Sequence, residues 1–350
     1  SSANSGSEVA VHDPGFLTDG MLAFRLPTGA SLMSQLGRWF TIVILVLAVA
    51  ESVSADIDGA QKAVLVTGAS SGIGLKITEH LSANGYYVYA GARKAADLER
   101  LNAMDNVSSV RLDVTVQEDI EAAAEFVKAQ GRGLHGVVNN AGVGVGERTS
   151  EASIELIAWL HDVNVLGPVR INKAFLPMLE ESGGRTVAIG SISGHAADSA
   201  TNGPYAMSKF ALEAYTDSLA VDLKEAGVTV GIVDPGGFKT SIHRKAALRS
   251  MTGRYDLDQE LTKEQQAELD AKTEWMSSLN EPDPVAEAVL HFMSNESPRP
   301  RYMVAPIKAH ADRAITALMT RLVQLNANQP FELSRDELVA MLDEFLEKSE

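Results

Sequence analysis

The sequence predicts an α/β fold, a doubly wound, mostly parallel seven-stranded sheet with helices on both faces, and three observations carry that prediction. From Lys62 onward short apolar runs alternate with helical patterns, as in repeated strand–helix–strand units. The runs are near-continuously apolar, as strands covered on both faces must be. A Gly-rich turn at 67–74 joins the first run to the first helix.

The strands are predicted at 63–66, 87–90, 107–112, 136–138, 186–189, 229–233 and 302–304. Helices fall between them, and their starts are marked. Thr115 and Glu118 stand at capping-box spacing ahead of a helix that runs to about Ala129, and Asp283 followed by Pro284 predicts a capped start near Val285. A charged, Met-containing insertion at 241–280 separates the last two strands; its Thr262–Gln265 capping box makes part of it a helix. Beyond Ala305 the pattern is helical again, over 309–325 and 334–348, with Ser334 and Glu337 as a further box. Leu338, Leu342, Phe345 and Leu346 form one apolar stripe, and such a stripe is expected to pack on the chain's own core before a second subunit or a membrane.

Composition narrows the function. With 350 residues, 45% of them apolar and 22% charged, the chain can bury a full core. Lys and Arg total 30 against 46 Asp and Glu, a formal charge of -16, so the basic excess that nucleic-acid binding needs is missing. The absence of cysteine removes disulfides, thiolate catalysis and Cys-bound metals.

The first 60 residues read differently. Residues 1–32 are rich in Ser, Gly and Pro, and Arg38 precedes an uncharged apolar run at 39–50 with small residues at 53–55. This pattern suits a signal peptide, with Met33 as its start, or a short membrane anchor; a buried strand or helix is the alternative. The expected organisation is a leader at 1–60, a catalytic domain at 61–310 and a helical extension at 311–350. Location follows the leader: exported or membrane-anchored if 33–55 is a signal segment, cytoplasmic otherwise.

In the turn, Thr67, Gly68, Ser70, Ser71, Gly72, Ile73 and Gly74 lie between a strand and a helix. Glycines there let the backbone approach a pyrophosphate, whose charge then faces the unpaired N–H groups of the helix start. The fold is accordingly of the Rossmann type. Tyr205 and Lys209 are four apart on one helix, so an ammonium can sit beside a phenol and is expected to lower its pKa toward neutrality. Alone, the pair reads equally as a half-buried Tyr and a solvated Lys. No set of His, Asp or Glu has metal-ligand spacing along the chain, and no metal is expected. His195 and His243 read as loop or substrate-pocket residues.

The Gly-x-x-x-Gly-x-Gly spacing is followed in order by Asn139-Asn140-Ala141-Gly142, Asn164-Val165-Leu166-Gly167, Ser191, Tyr205-Ala206-Met207-Ser208-Lys209 and Asp234-Pro235-Gly236. Over about 62–305 the chain resembles the classical short-chain dehydrogenases/reductases. The resemblance implies an oxidoreductase that moves a hydride between NAD(P)(H) and a carbonyl or alcohol. Tyr205 would be the acid/base, Lys209 would also hold the nicotinamide ribose, Ser191 would bind the substrate oxygen, and Asn164 would complete the set. Ser193 competes with Ser191, whose separation from Tyr205 is one longer than the family's commonest. The cofactor would further meet Asp113, Asn139, Ala141, Gly142, Pro235, Gly236 and Thr240.

Charge then argues the cofactor type. Ala92 stands where NAD-preferring relatives place an acid, and Arg93 follows, so NADP(H) is expected over NAD(H), with Arg93 on the 2'-phosphate. The substrate is expected to be a small lipophilic carbonyl or alcohol, of steroid, retinoid or 3-oxoacyl type. A homo-dimer or homo-tetramer is implied by the family. A non-catalytic NADP(H) sensor of the same fold stays open, as an extended-branch epimerase does less well on its glycine spacing.

Overall fold

The apolar runs become seven parallel strands in the computed structural model, which describes residues 61–253 and 261–348. The strands are β1 (Ala63–Val66), β2 (Tyr87–Ala92), β3 (Val107–Arg111), β4 (Gly136–Asn139), β5 (Arg185–Ile189), β6 (Thr229–Pro235) and β7 (Arg301–Val304), in the order β3-β2-β1-β4-β5-β6-β7. The predicted strands are all present, with ends displaced by a residue or two. Between them run α1 (Gly72–Ala83), α2 (Ala95–Asn102), α3 (Gln117–Ala129), α4 (Ile154–His161), α5 (Gly167–Ser182) and α6 (Gly203–Asp222). The insertion forms α7 (Ser241–Thr252) and α8 (Lys263–Thr273); α9 (Asp283–Ser294), α10 (Lys308–Asn326) and α11 (Arg335–Glu347) complete the described chain. The leader and its apolar run lie outside the described residues, and among those described no helix is long and apolar enough to cross a membrane.

Alternation along the strands sorts the core into two layers. On one face Val64, Val66, Val88 and Ala90 meet Ile77 and Leu81 of α1 and Val285, Val289 and Phe292 of α9. On the other, Ala63, Leu65, Tyr89 and Val137 meet Ile120 and Val127 of α3 and Ile171, Phe175 and Leu179 of α5. Each such side chain contributes about 1.5–3 kcal/mol by leaving water. Winding reverses between the neighbours β1 and β4, so the connections leave opposite faces there and open a crevice at the strands' C-terminal ends.

Two helix starts differ from expectation. Val116, not Thr115, caps α3, without a side-chain bond; the Thr115 amide and hydroxyl both donate to Asp113 Oδ1, at 3.0 and 2.7 Å, a local turn that outcompetes the cap. Asp283 is the first residue of α9 after the cap Pro282, and its carboxylate turns instead to His80 (3.3 Å) and Lys76 (3.6 Å) on α1. The boxes at Thr262–Gln265 and Ser334–Glu337 form as expected.

The stripe on α11 does not pack on the core. Leu342, Phe345 and Leu346 are exposed, as are Leu318, Met319, Leu322 and Val323 on α10. The expected boundary at 310 falls inside α10, whose first turns reach the rest of the fold: His310 Nδ1 accepts from Gly237 N at 3.3 Å, Arg313 pairs with Asp198, and the Arg321 guanidinium lies 4.4 Å from the Phe210 ring centre.

Helix α9 seats against β6 at a position that only glycine fits. A Cβ on Gly231 would lie 2.4 Å from Phe292 Cε2, and fully buried Phe292 has no free space to retreat into. Gly231→Ala is expected to cost about 1–3 kcal/mol, read as a lower urea midpoint at unchanged slope; an unaltered midpoint refutes the packing.

Candidate active site

The ends of β1 and β4 are clamped together by side chains. Thr67 Oγ1 accepts from the amides of Asn140 (3.0 Å) and Ala141 (2.9 Å), while Asn140 Nδ2 donates to the carbonyls of Thr67 (2.9 Å) and Gly68 (3.1 Å). The clamp fixes the Gly-rich turn. Gly68 and Gly72 adopt φ of 64° and 57°, a region costly for other residues, and a Cβ on Gly74 would lie 2.3 Å from Asn140 Nδ2 and Gly68 O. This bare turn ahead of α1 is a cradle that a pyrophosphate fits. Ile73 packs inward, the Ser70 carbonyl accepts from Arg100 at 2.6 Å, and Ser71 Oγ lies 3.3 Å from Ser241 Oγ at the start of α7. Thr240, the cap of α7, faces Gly72 across the crevice.

Other expected cofactor residues lie around the same crevice, with one exception. Arg93 and Asp113, at the ends of β2 and β3, form an ion pair at 3.2 Å. Burial alone would raise the Asp113 pKa, but the Thr115 bonds and the Arg93 guanidinium outweigh it and hold the carboxyl below its usual range. Gly142 lies against Asn164, and Gly236, following Pro235, against His310. Asn139 turns away: its buried amide donates to Asn172 Oδ1 (2.9 Å) and Thr186 Oγ1 (3.2 Å). It ties β4 to α5 and β5, so its side chain does not serve the crevice.

Asn164 sits in a feature the sequence did not reveal, a π turn at Asp162–Leu166 that widens the helix between α4 and α5. Its buried amide accepts from Val143 N (2.8 Å) and donates to Val143 O (2.9 Å) and Ser208 Oγ (3.0 Å). This locks the segment that follows Asn139–Gly142 to the helix bearing Tyr205 and Lys209. The Tyr205 hydroxyl lies near Ser191, which lowers its pKa, and Lys209 Nζ, buried, donates to Ile189 O at 2.8 Å and lies 5.8 Å from the Tyr205 ring centre. Ser193 donates its amide to Ser191 Oγ (3.1 Å), and its own hydroxyl is taken up by Asn202.

The electrostatics reverse one expectation. Burial raises the Tyr205 pKa to about 12, against the Ser191 contact that lowers it and with Asp234 adding to the rise. Burial also lowers Lys209 to about 8. The expected lowering of the phenol by the ammonium is thus not what sets its direction: burial and Asp234 push it up, and the Ser191 contact alone opposes them. His243, expected at the substrate pocket, packs against Trp275 with ring centres 5.3 Å apart.

Beneath the pair lies a charge cluster that chain spacing concealed. His195 Nε2 is 3.1 Å from Asp234 Oδ2 and 3.7 Å from Glu213 Oε1, and all three ligating atoms lie within 4.8 Å of one another. His195 is thus held by acids rather than turned to substrate. Arg301 supplies the counter-charge, 2.8 Å from Glu213 Oε2 and 3.8 Å from Asp234 Oδ2. Asp234 Oδ1 accepts from Ser191 N at 3.1 Å, so the cluster supports Ser191 directly. One signal was available: Tyr205, Lys209, Glu213 and Asp217 repeat every four residues on one helix face.

Comparison with known proteins gives the arrangement relatives. The short chain dehydrogenase family model matches residues 62–250. A mitochondrial D-beta-hydroxybutyrate dehydrogenase from Bos taurus is 33% identical over 264 residues, covering 69% of this chain and 76% of its own. Retinol dehydrogenase 7 from Mus musculus is 38% identical over 185 residues, covering 52% of this chain and 58% of its own. Among solved structures, a short-chain dehydrogenase from Streptomyces avermitilis superposes with TM-score 0.62 at 28% identity, over 76% of this chain and 95% of that one. An actinorhodin polyketide ketoreductase variant with NADPH gives 0.57 at 28% identity, over 70% and 95%.

The cluster makes a pH prediction. Burial, then Asp234, raises the Glu213 pKa from 4.5 to about 8, so the folded chain keeps a proton that the unfolded chain releases. Stability then falls as pH rises from about 4.5 to about 8. Glu213→Gln is expected to flatten the thermal-unfolding profile across that window; an equally steep profile in the variant contradicts the assignment.

Proposed function

Because the chain belongs to the short-chain dehydrogenase family, and is an NAD(P)-dependent oxidoreductase acting on CH–OH groups or the corresponding carbonyls, we propose that Tyr205, Lys209, Ser191 and Asn164 carry its chemistry and that it prefers NADP(H). The observation that carries the reading is the convergence of Ser191, Tyr205 and Lys209 beside the glycine cradle. The nicotinamide nucleotide, when bound, donates or accepts the hydride.

Each residue then has one task. Thr67 to Gly74 hold the pyrophosphate, and Lys209 holds the nicotinamide ribose. Tyr205, protonated at rest, gives its proton to the oxygen of a carbonyl substrate as charge develops there, and takes one back from an alcohol in reverse. Ser191 hydrogen-bonds that same oxygen. Asn164 positions the helix that carries Tyr205 and Lys209 through Ser208, whose hydroxyl donates to Tyr205 O at 2.7 Å.

The NADP(H) preference rests on Ala92 and Arg93. Arg93 is two-thirds exposed and held by Asp113 at the rim of the crevice, where a 2'-phosphate can share its fork of donors. The substrate we favour is a lipophilic alcohol or ketone, with a 3-oxoacyl compound close behind; the retinol and hydroxybutyrate dehydrogenases among the relatives support both. The 1–60 leader, the 61–310 domain and the 311–350 extension remain the proposed organisation, and a homo-dimer or homo-tetramer the proposed assembly.

A panel of steroids, retinoids, short ketones and 3-oxoacyl esters, followed by nicotinamide absorbance, tests the assignment. Tyr205→Phe is expected to lower kcat about 10²–10⁴-fold with cofactor affinity unchanged; wild-type-like turnover removes Tyr205 from the chemistry. Arg93→Ala is expected to weaken NADPH about tenfold or more and leave NADH untouched, and a native preference for NADH overturns the cofactor reading.

A further inference from the structure

Arg249, on α7, is a buried cation that no ion pair joins to a carboxylate among the described residues. It is 8% exposed, its Nη1 donates to Gly144 O at 3.1 Å, and its Nε has no partner. The guanidinium carbon lies 5.1 Å from the Trp159 ring centre. Neither contact repays its burial: a cation–π contact and one carbonyl bond are worth less than the hydration a guanidinium gives up. Arg301 is paired with Glu213 and Asp217, and Arg170 with Asp162, whereas Arg185, whose Nε is likewise unpartnered, gives Nη1 to two carbonyls, Phe292 O and Asn295 O, and is less deeply buried than Arg249. Among the described residues no carboxylate acts on Arg249.

The surroundings add positive charge. Burial lowers the Arg249 pKa to about 10, and the other contributor is a second cation, Arg93. Lys245, one turn earlier on α7, has its pKa lowered by the protein around it and then by Arg249, Arg93 and Lys94, with Asp97 opposing. The place is also part of the crevice. Ile242 and Ala246 of α7 lie against Gly144, and Ser250 Oγ bonds both the amide and the carbonyl of Gly146 at 3.2 and 3.0 Å. Helix α7 therefore lies along the segment that follows Asn139–Gly142, starting one residue beyond the Val143 that Asn164 holds.

We propose that Arg249 is the recognition residue of an oxyanion site in this crevice, taking a phosphate or carboxylate borne by a bound small molecule, with Lys245 and Arg93 adding to the field. The two sources are the 2'-phosphate of the cofactor and an acid group on the substrate, and the site rests on the reading of the crevice as the one that binds them. An anion there would take the free Nε–H and the remaining fork of donors in charge-assisted bonds. Arg249 then discriminates ligands by charge, a task distinct from that of Tyr205.

Binding measurements on the full chain test this without turnover. Fluorescence titrations of NADPH, NADH, 3-oxohexanoate and its ethyl ester are compared for the native chain, Arg249→Met and Arg249→Lys. Arg249→Met is expected to bind one anionic probe at least tenfold more weakly, with Arg249→Lys intermediate, and to unfold no earlier than the native chain when ligand-free. A loss confined to NADPH locates the oxyanion on the cofactor; a loss confined to the oxo acid locates it on the substrate. Unchanged affinities for all four probes overturn the proposal, as does an early-unfolding Arg249→Met whose affinities match the native chain's. Should Arg249→Met not fold, Arg249→Lys decides: several-fold weaker binding of one anionic probe supports the site, and native affinity for both overturns it. Absent turnover with Arg249-dependent binding intact would sink the catalytic reading alone.

Discussion

The clamp between Thr67 and Asn140 is the constraint on which the rest of the molecule turns. Two strands adjacent in the sheet but 70 residues apart in the chain must end side by side, and their loops must leave in opposite directions. One hydroxyl and one amide satisfy four backbone groups at that junction. An unpaired backbone group there would cost about 1–3 kcal/mol. With the ends fixed, the turn before α1 lies open, and the segment leaving β4 is held to α6 by Asn164. The crevice is thus a by-product of satisfying backbone groups where the winding reverses.

Burial sets the direction for both Tyr205 and Lys209, with Asp234 adding to it at the phenol and the acids opposing it at the ammonium. The phenol is pushed up and the ammonium down, so the pair is poised with a proton on the oxygen. The acids beneath them, Glu213 and Asp234, act on Lys209 in the opposite sense. A buried carboxylate pair of this kind is tolerable because Arg301 and His195 close it off and Glu213 holds a proton. The same Asp234 that raises the phenol's pKa also orients Ser191 through its amide. Positioning and acidity are therefore not independently adjustable in this fold.

The sequence made the sheet and most of the crevice legible for physical reasons. Fully covered strands must be apolar, and a phosphate-binding turn must be glycine-rich, so both leave compositional traces. What stayed hidden depends on partners distant along the chain. His195, Glu213, Asp234 and Arg301 come from a loop, a helix and two strands, and no local pattern joins them. The π turn at Asp162–Leu166 keeps helical periodicity on either side, so an apolar count passes over it. Thr115 was misread because Asp113 offers its amide and hydroxyl a nearer acceptor, and the motif around Asn139 does not say which way its side chain turns. The α11 stripe was read correctly as apolar and wrongly as packed on the chain's own core, since periodicity reports a face and not what meets it.

Arg301 stands at the start of the last strand, and that placement orders events in time. A chain emerging from the ribosome exposes α6 and β6, with Glu213 and Asp234, long before the guanidinium that neutralises them has been translated. Until then the two acids cannot be enclosed without heavy cost, and the floor beneath Ser191 has to stay wet. Assembly of the half that carries the glycine-rich turn can run ahead during synthesis, whereas the half that carries Ser191 is sealed only when the edge strand docks.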